Sequence, residues 1–405
     1  MITFIDLNQT KPGGLQVLTI NLITEFTKRG IQTKLYSSRY SYVFRKLAET
    51  GIKFNHLDSD EIAVTELDNY ILSSDTLVIS YFMKELFYFK VSTPKFIYWV
   101  ILSNFERYSY FTLFNGKVRI KLFEDSVKTF VGEMISSSSL YFMDGSTLKD
   151  TERIYGEIPA SSIIPIPVIR KVNNLFQNRL EDSLTDGIVR VTYLGRGGGM
   201  WKIFPILHFA EEVCKMSTNV KFRLLIATDA DTKYRQALSH LQSEKLAISY
   251  NLHLDHNDIE EFLLANSDLH VAMGTSALEG ARLGIPTILV DASNRPFPKD
   301  YRYRWIFESN IDCTLGYWIN KDSAYLERGA FLNCILDRYI ADKSYRKEIS
   351  DSCFEYTNQN HDLSSTAERV LEACEKTKSD VSVFTKVTPL LYNIKLRFLL
   401  KSFLK

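Results

Sequence analysis

From residue 268 to 291 the chain runs Asp-Leu-His-Val-Ala-Met-Gly-Thr-Ser-Ala-Leu-Glu-Gly-Ala-Arg-Leu-Gly-Ile-Pro-Thr-Ile-Leu-Val-Asp, an order that admits few folds. Residues 269–273 are an apolar run of strand length. Gly274, Thr275 and Ser276 then turn the chain into a short helix, with Leu278, Ala281 and Leu283 on its inward side. Gly284 suits the left-handed residue that ends a helix, and Pro286 forbids its continuation. Residues 287–290 are apolar again and read as a second strand, parallel to the first. The unit is βαβ. Its helix begins at Gly274-Thr275-Ser276, where unpaired N–H groups and a positive dipole end favour a phosphate. Glu279 falls one turn along on the ligand-facing side, where a carboxylate accepts hydrogen bonds from a ribose diol.

The same alternation runs through the rest of the chain. Strands are expected at residues 2–7, 31–36, 76–80, 95–100, 130–132, 139–142, 189–194, 222–227 and 250–254. Between the first two, Leu15, Leu18, Leu22 and Phe26 recur at helical spacing, Lys28 and Arg29 fill the last turn, and Gly30 stops the helix. A second amphipathic helix is predicted from apolar positions 203, 206, 207, 210, 213 and 214. Asn257 and Glu260 have capping-box spacing ahead of Phe262 and Leu263. Alternating strands and helices predict doubly wound parallel sheets, which bind ligands beyond the C-terminal strand ends. A length of 405 residues suggests two or three domains. The polar, aperiodic stretch 173–187 is the expected linker. It divides a domain at 1–172 from a second at 188–375, with a tail at 376–405.

Composition excludes several function classes. A net charge of +1 lacks the basic excess of a nucleic-acid binder. The five cysteines form no Cys-x-x-Cys pair, which fits reduced thiols rather than a disulfide framework or zinc site. No basic n-region precedes Asp6, and no apolar run reaches the roughly 20 residues that span a bilayer. A cytoplasmic protein is expected, peripheral to a membrane at most. The tail supports that last point. From Lys386 to Lys405 the chain carries Lys386, Lys395, Arg397, Lys401 and Lys405 and no acid, and a helix beyond Pro389 would gather Tyr392, Leu396, Leu399, Leu400 and Phe403 on one face. It would lie on an anionic membrane surface or dock on the first domain. The aromatic, basic stretch 81–123 is either core or a surface that touches lipid.

Two motifs carry a family resemblance. Gly274-x-Ser276-x-x-Glu279-x-x-x-x-Gly284-x-Pro286 resembles the nucleotide-sugar signature of GT-B glycosyltransferases, and Gly195-Arg196 with Lys202 resembles the phosphate-neutralising element of family-4 and related members. The resemblance implies an α/β GT-B fold, two doubly wound Rossmann-like domains facing a cleft, with a helical C-terminal tail. It implies that Glu279 holds the donor ribose and that Gly274, Thr275 and Ser276 hold the diphosphate. Arg196 and Lys202 would stabilise the leaving nucleoside diphosphate without a metal, and the donor would be UDP- or GDP-linked. The pair is six residues apart, one more than usual in the family. Gly14, in a Gly-Gly loop, would face the donor from the first domain; backbone near Leu254 would hold the nucleobase.

The acceptor implied is a glycan or lipid-linked glycan in surface polysaccharide synthesis. Retaining members carry a second glutamate where this chain has Val271, so the pattern stands nearer to inverting enzymes, which need a general base. Glu106 is the favoured candidate, with Asp6, Glu85 and His56 as alternatives. His253 and His256 have no metal-ligand spacing. Other readings are a GT-B nucleotide-sugar epimerase and a non-catalytic GT-B partner subunit. A dinucleotide site at Gly195-x-Gly197 fails because Met200 occupies the third glycine position, and the acid required about 20 residues on falls inside a helix.

Overall fold

A computed structural model describes residues 1–6, 10, 13–63, 66, 69–71, 75–79, 95–101, 110–113, 116–119, 121–180, 184–195, 199–309, 312–319 and 328–378. The chain forms two compact units, Met1–Pro167 joined by the chain from Leu363 onward, and Val168–Asp362.

In the first unit, β1 (Ile2–Asp6), α1 (Gly14–Lys28), β2 (Thr33–Ser37), α2 (Tyr42–Glu49), β3 (Asn55–Asp58), β4 (Thr76–Ile79) and β5 (Lys95–Val100) come first. A hairpin of β6 (Tyr110–Leu113) and β7 (Gly116–Arg119), α3 (Lys121–Ser136), β8 (Leu140–Phe142) and α4 (Gly145–Tyr155) follow. The sheet order is β3-β2-β1-β4-β5-β8, every pairing parallel. Leu18, Leu22 and Phe26 of α1 are buried against Phe4 and Leu35 as their spacing predicts, each burial stabilising by about 1.5–3 kcal/mol. Residues 130–132, expected as a strand, lie within α3. Phe130, Val131 and Met134 are buried together on a helical face, so a three-residue apolar cluster was read with the wrong period.

The second unit holds α5 (Gln177–Leu180), β9 (Ile188–Leu194), α6 (Met200–Lys215), β10 (Lys221–Thr228), α7 (Thr232–Leu238), β11 (Leu246–Leu252), α8 (Ile259–Asn266) and β12 (Leu269–Ala272). It continues through α9 (Thr275–Ala281), β13 (Thr287–Leu289), β14 (Arg304–Trp305), α10 (Leu332–Ala341) and α11 (Lys343–Asn360). The order is β11-β10-β9-β12-β13-β14, parallel except for the last pair. The Asn257/Glu260 capping box does not form. Asp255 accepts from the Asn257 N–H and opens a short 3-10 turn instead, while Glu260 turns to Lys171 and Arg282.

The boundary falls at Pro167–Val168, not within 173–187. That stretch packs on the second unit: Phe176 and Leu180 are buried with Phe262, Leu283 and Ile285, because two apolar side chains four apart suffice to dock one helical turn. The second unit also ends before residue 375. A final helix, α12 (Leu363–Lys376), buries Ala367, Val370 and Ala373 in the core of the first unit, and Arg29 bonds Ser364 and Glu368. Residues 379–405, where the membrane-binding tail was expected, lie outside the described residues. Among those described, no helix is long and apolar enough to cross a membrane.

Candidate functional site

Strands β9 and β12 are neighbours, with Leu269 opposite Val191 and Val271 opposite Tyr193. Parallel pairing puts their C-terminal ends side by side, so Gly195 and Gly274 emerge on one edge of the sheet. The two loops that the sequence singled out therefore start from neighbouring strand ends.

The β12–α9 turn is held from below by His270. Its Nε2 lies 3.0 Å from the Ser276 carbonyl and its Nδ1 2.9 Å from the Thr192 hydroxyl. A carbonyl only accepts, so Nε2 carries the proton and Nδ1 accepts from Thr192. Ser267, 2.6 Å from Thr192 Oγ1, then donates to it. Burial pushes the His270 pKa down to about 4. Gly280 is required beside it, since a Cβ there would stand 2.6 Å from the imidazole. The neutral ring thus fixes the first turn of α9. Between pH 6.5 and 4 the unfolded chain binds a proton here that the folded unit does not, so stability is lost as pH falls. Urea unfolding of the second unit, read by tryptophan emission in a Trp99→Phe background, should weaken by roughly 2–4 kcal/mol across that range from this residue. His270→Gln should flatten that slope, although His208, also pushed to about 4 by burial, adds its own. An unchanged slope in His270→Gln would remove the assignment.

Gly274 has φ 61°, a left-handed conformation that a side chain resists, and nothing stands within 4 Å of where a Cβ would be. Its freedom serves the turn and leaves open space above it. Its N–H donates to the Leu315 carbonyl, and Ala277 N–H closes back on Gly274. The N–H groups of Thr275 and Ser276 have no partner within the helix. At the other end, Gly284 N–H bonds Ala281 and Ile285 N–H bonds Gly280, the left-handed cap that the Gly-x-Pro signal predicts.

Glu279 lies on α9, mostly buried, with Arg282 Nε donating to Oε2 at 2.6 Å. Arg282 NH1 also reaches Glu260, which pairs with Lys171. Oε1 accepts no hydrogen bond among the described residues. Sequence reasoning missed Arg282, although the acid–base i, i+3 spacing was there to read.

The second loop starts at Gly195, whose N–H bonds Ala227. A Cβ at Gly195 would meet the Tyr193 ring at 2.6 Å and the Tyr234 hydroxyl at 3.0 Å, so packing alone demands glycine here. Tyr234 is buried and its hydroxyl has no hydrogen-bond partner among the described residues. Arg196 lies outside the described residues. At Gly199 a Cβ would collide with the Trp201 indole nitrogen, so Trp201 folds back on Gly199. Lys202 is in the first turn of α6; its carbonyl accepts from Tyr193 and its ammonium stands 4.9 Å from the centre of the Trp201 ring.

Beyond β11, His253 takes φ 61° and its N–H bonds Thr228. Leu254 follows, half-buried against the apolar group of Ala227, Phe262 and Leu263. The ends of β11, β9 and β12 therefore lie along one edge. Gly14 belongs to the first unit, at the start of α1. Nearby, at the end of β1, Asp6 is buried with Oδ2 unpartnered among the described residues, and burial raises its pKa to about 6 against the lowering effect of Gln16. Its linkage runs opposite to that of His270, stability there falling as pH rises through that range. His56, by contrast, is engaged with Ser37 and packs 4.2 Å from Phe44. Glu106 and Glu85 lie outside the described residues. Among those described, no cluster of three His, Cys, Asp or Glu side chains could hold a metal ion.

No family model and no curated protein matches the sequence. Solved structures do. A glycosyltransferase from Rickettsia africae superposes with a TM-score of 0.58 at 14% identity, covering 92% of this chain and 97% of that one. Anabaena HepE, solved in complex with UDP, gives 0.55 at 14% identity over 92% and 98%. A variant of S. aureus TarM, in complex with Fondaparinux, alpha-GlcNAc-glycerol and UDP, gives 0.56 at 11% over 92% and 99%. Likeness at this level of identity establishes architecture. The chain has the GT-B fold.

Proposed function

We propose that the protein is a glycosyltransferase that moves a sugar from a UDP- or GDP-linked donor to a hydroxyl of a glycan or lipid-linked glycan, as in surface polysaccharide synthesis. The observation that carries this reading is the β12–α9 turn, with its open Gly274 and Glu279 one turn along, beside the β9–α6 loop. The likeness to HepE and TarM, both solved with UDP, supports it.

In this reading Glu279 Oε1 accepts from the ribose diol while Arg282 holds Oε2. The N–H groups of Thr275 and Ser276 face the diphosphate. Arg196 and Lys202 take up the charge that grows on it as the sugar C1–O bond breaks. The acceptor oxygen attacks C1, its proton passes to a general base, and the nucleoside diphosphate leaves. Val271, where retaining members have glutamate, favours inversion. Asp6 joins Glu106 as the candidate base, since a carboxyl poised near neutrality suits that task. No metal is assigned a role. The basic tail would hold the enzyme on anionic lipid at the inner face of the membrane. Full-length protein should then sediment with anionic vesicles, and a chain ended at Pro389 should not; equal sedimentation of both removes the tail's role.

The direct test is nucleoside diphosphate release from a panel of UDP- and GDP-sugars. Turnover should persist in EDTA, and Arg196→Ala should lower it by about 10²-fold or more while nucleoside binding changes little. Turnover that vanishes in EDTA and returns with manganese would overturn the mechanism, and absence of any nucleotide binding would overturn the function.

A further inference from the structure

The chain has four tryptophans. Trp99 and Trp305 are buried in the cores. The other two, Trp201 and Trp318, are not, and they meet each other with ring centres 6.0 Å apart and planes tilted by 42°. Trp318 is 38% exposed and the neighbouring Met200 42%. Leaving indole area in water forgoes a large apolar burial, so a paired, exposed set marks a binding surface more often than chance exposure does.

Position narrows the ligand. Trp201 lies over Gly199, at the start of α6, with the Lys202 ammonium on its ring. Trp318 is fixed by backbone bonds: Tyr317 N–H donates to Asp291 Oδ1, Ala292 N–H to the Tyr317 carbonyl, and Ile319 N–H to the Ala292 carbonyl. Three residues earlier, the Leu315 carbonyl receives the Gly274 N–H. An extended chain of three residues spans at most about 10 Å, so the backbone of Trp318 stands within about that distance of the residue that meets the turn. The pair therefore spans the two loops at the ends of β9 and β12, on the β13 side of them.

We propose that Trp201 and Trp318 form a stacking platform for a hexopyranose ring. The inference rests on the transferase reading, which lays the diphosphate along the β9 and β12 ends and so turns the attached sugar, or the glycan that receives it, toward this pair. A pyranose presents one face of polarised C–H bonds, which the negative face of an indole attracts. Its hydroxyls stay directed outward to water and to polar groups, so a half-exposed aromatic surface suits it better than a closed apolar pocket. Donor sugar and acceptor glycan share this chemistry, and the measurement separates them.

The experiment compares wild type, Trp318→Ala and Trp318→Phe by calorimetric titration. The probes are UDP, GDP, UDP-glucose, UDP-N-acetylglucosamine, GDP-mannose, and methyl glycosides and short oligosaccharides of the same hexoses. Trp318 is the residue changed because its exposure makes misfolding avoidable, whereas Trp201 packs on its own loop. If the platform holds the donor sugar, Trp318→Ala weakens the preferred nucleotide sugar about tenfold or more and its parent diphosphate less than twofold. Trp318→Phe then recovers most of the loss. If it holds the acceptor, the same pattern appears with the free glycosides or oligosaccharides, and nucleotide sugars are unaffected. Equal loss for a nucleotide sugar and its parent diphosphate, or no change for any probe, overturns the platform. If wild type binds no nucleotide, the transferase reading falls, and the platform stands or falls on the free sugars alone.

Discussion

Replacing Arg304 with methionine is expected to lower the unfolding free energy of the second unit by about 3–5 kcal/mol, the usual result of leaving one member of a buried ion pair alone. Arg304 and Asp291 are both fully buried and joined by two hydrogen bonds, of 2.7 and 3.0 Å. Tyr301 donates to the same carboxylate at 3.0 Å, and Tyr317 N–H at 2.8 Å. Without the guanidinium, Asp291 would retain its charge in an apolar surround or take up a proton. Either outcome weakens its hold on Tyr317, and through the same segment on Leu315 and Trp318. Urea unfolding followed by tryptophan emission in a Trp99→Phe background reads the second unit alone. Replacing both partners, Asp291→Leu with Arg304→Met, should cost less than the two single changes added together, because the orphaned charge disappears. A single Arg304→Met change within 1 kcal/mol of its parent would show that the pair contributes no more than an exposed one.

Replacing Glu279 with alanine should weaken UDP or GDP binding by about tenfold or more, since a hydrogen bond to a charged acceptor is worth about 1.5–3 kcal/mol. The side chain has one oxygen committed to Arg282 and the other available to a ribose. Arg282→Met therefore has a distinct expected result, a smaller loss, because the carboxylate remains but is no longer held. Calorimetry on folded protein measures both. Unaltered affinity in Glu279→Ala would move the ribose elsewhere, and equal losses in both variants would mean that the two residues act only as a structural pair.

Residues 268–291 carried their own structure almost completely. The apolar runs, the Gly-Thr-Ser turn and the Gly-x-Pro stop act through neighbours in sequence, so strand, helix and cap emerged as β12, α9 and a left-handed cap at Gly284. The first helix, from Leu15 to Phe26, was legible for the same reason. The apolar cluster at 130–132 was not. Three residues do not distinguish a period of 2 from one of 3.6, and packing against β8 decided for helix.

The site divides along the same line. Gly274, Thr275, Ser276 and Glu279 were proposed from local chemistry and the motif's resemblance: a glycine at a turn, small residues at a helix start, and an acid one turn on. That Gly195 and Gly274 share an edge follows only from the pairing of β9 with β12, contacts between residues about 78 positions apart such as Thr192 with His270. Asn174 gives the reason why residues 173–187 are no linker. It bonds Ser350 and Asp351, and its side chain occupies the space a Cβ at Gly284 would need. The Asp291–Arg304 pair and the meeting of Trp201 with Trp318 likewise join side chains whose partners lie in other elements. Periodicity and turn chemistry report what a residue does to its own backbone. Which elements become neighbours is settled by burial of whole faces, and it was that choice which assembled the site.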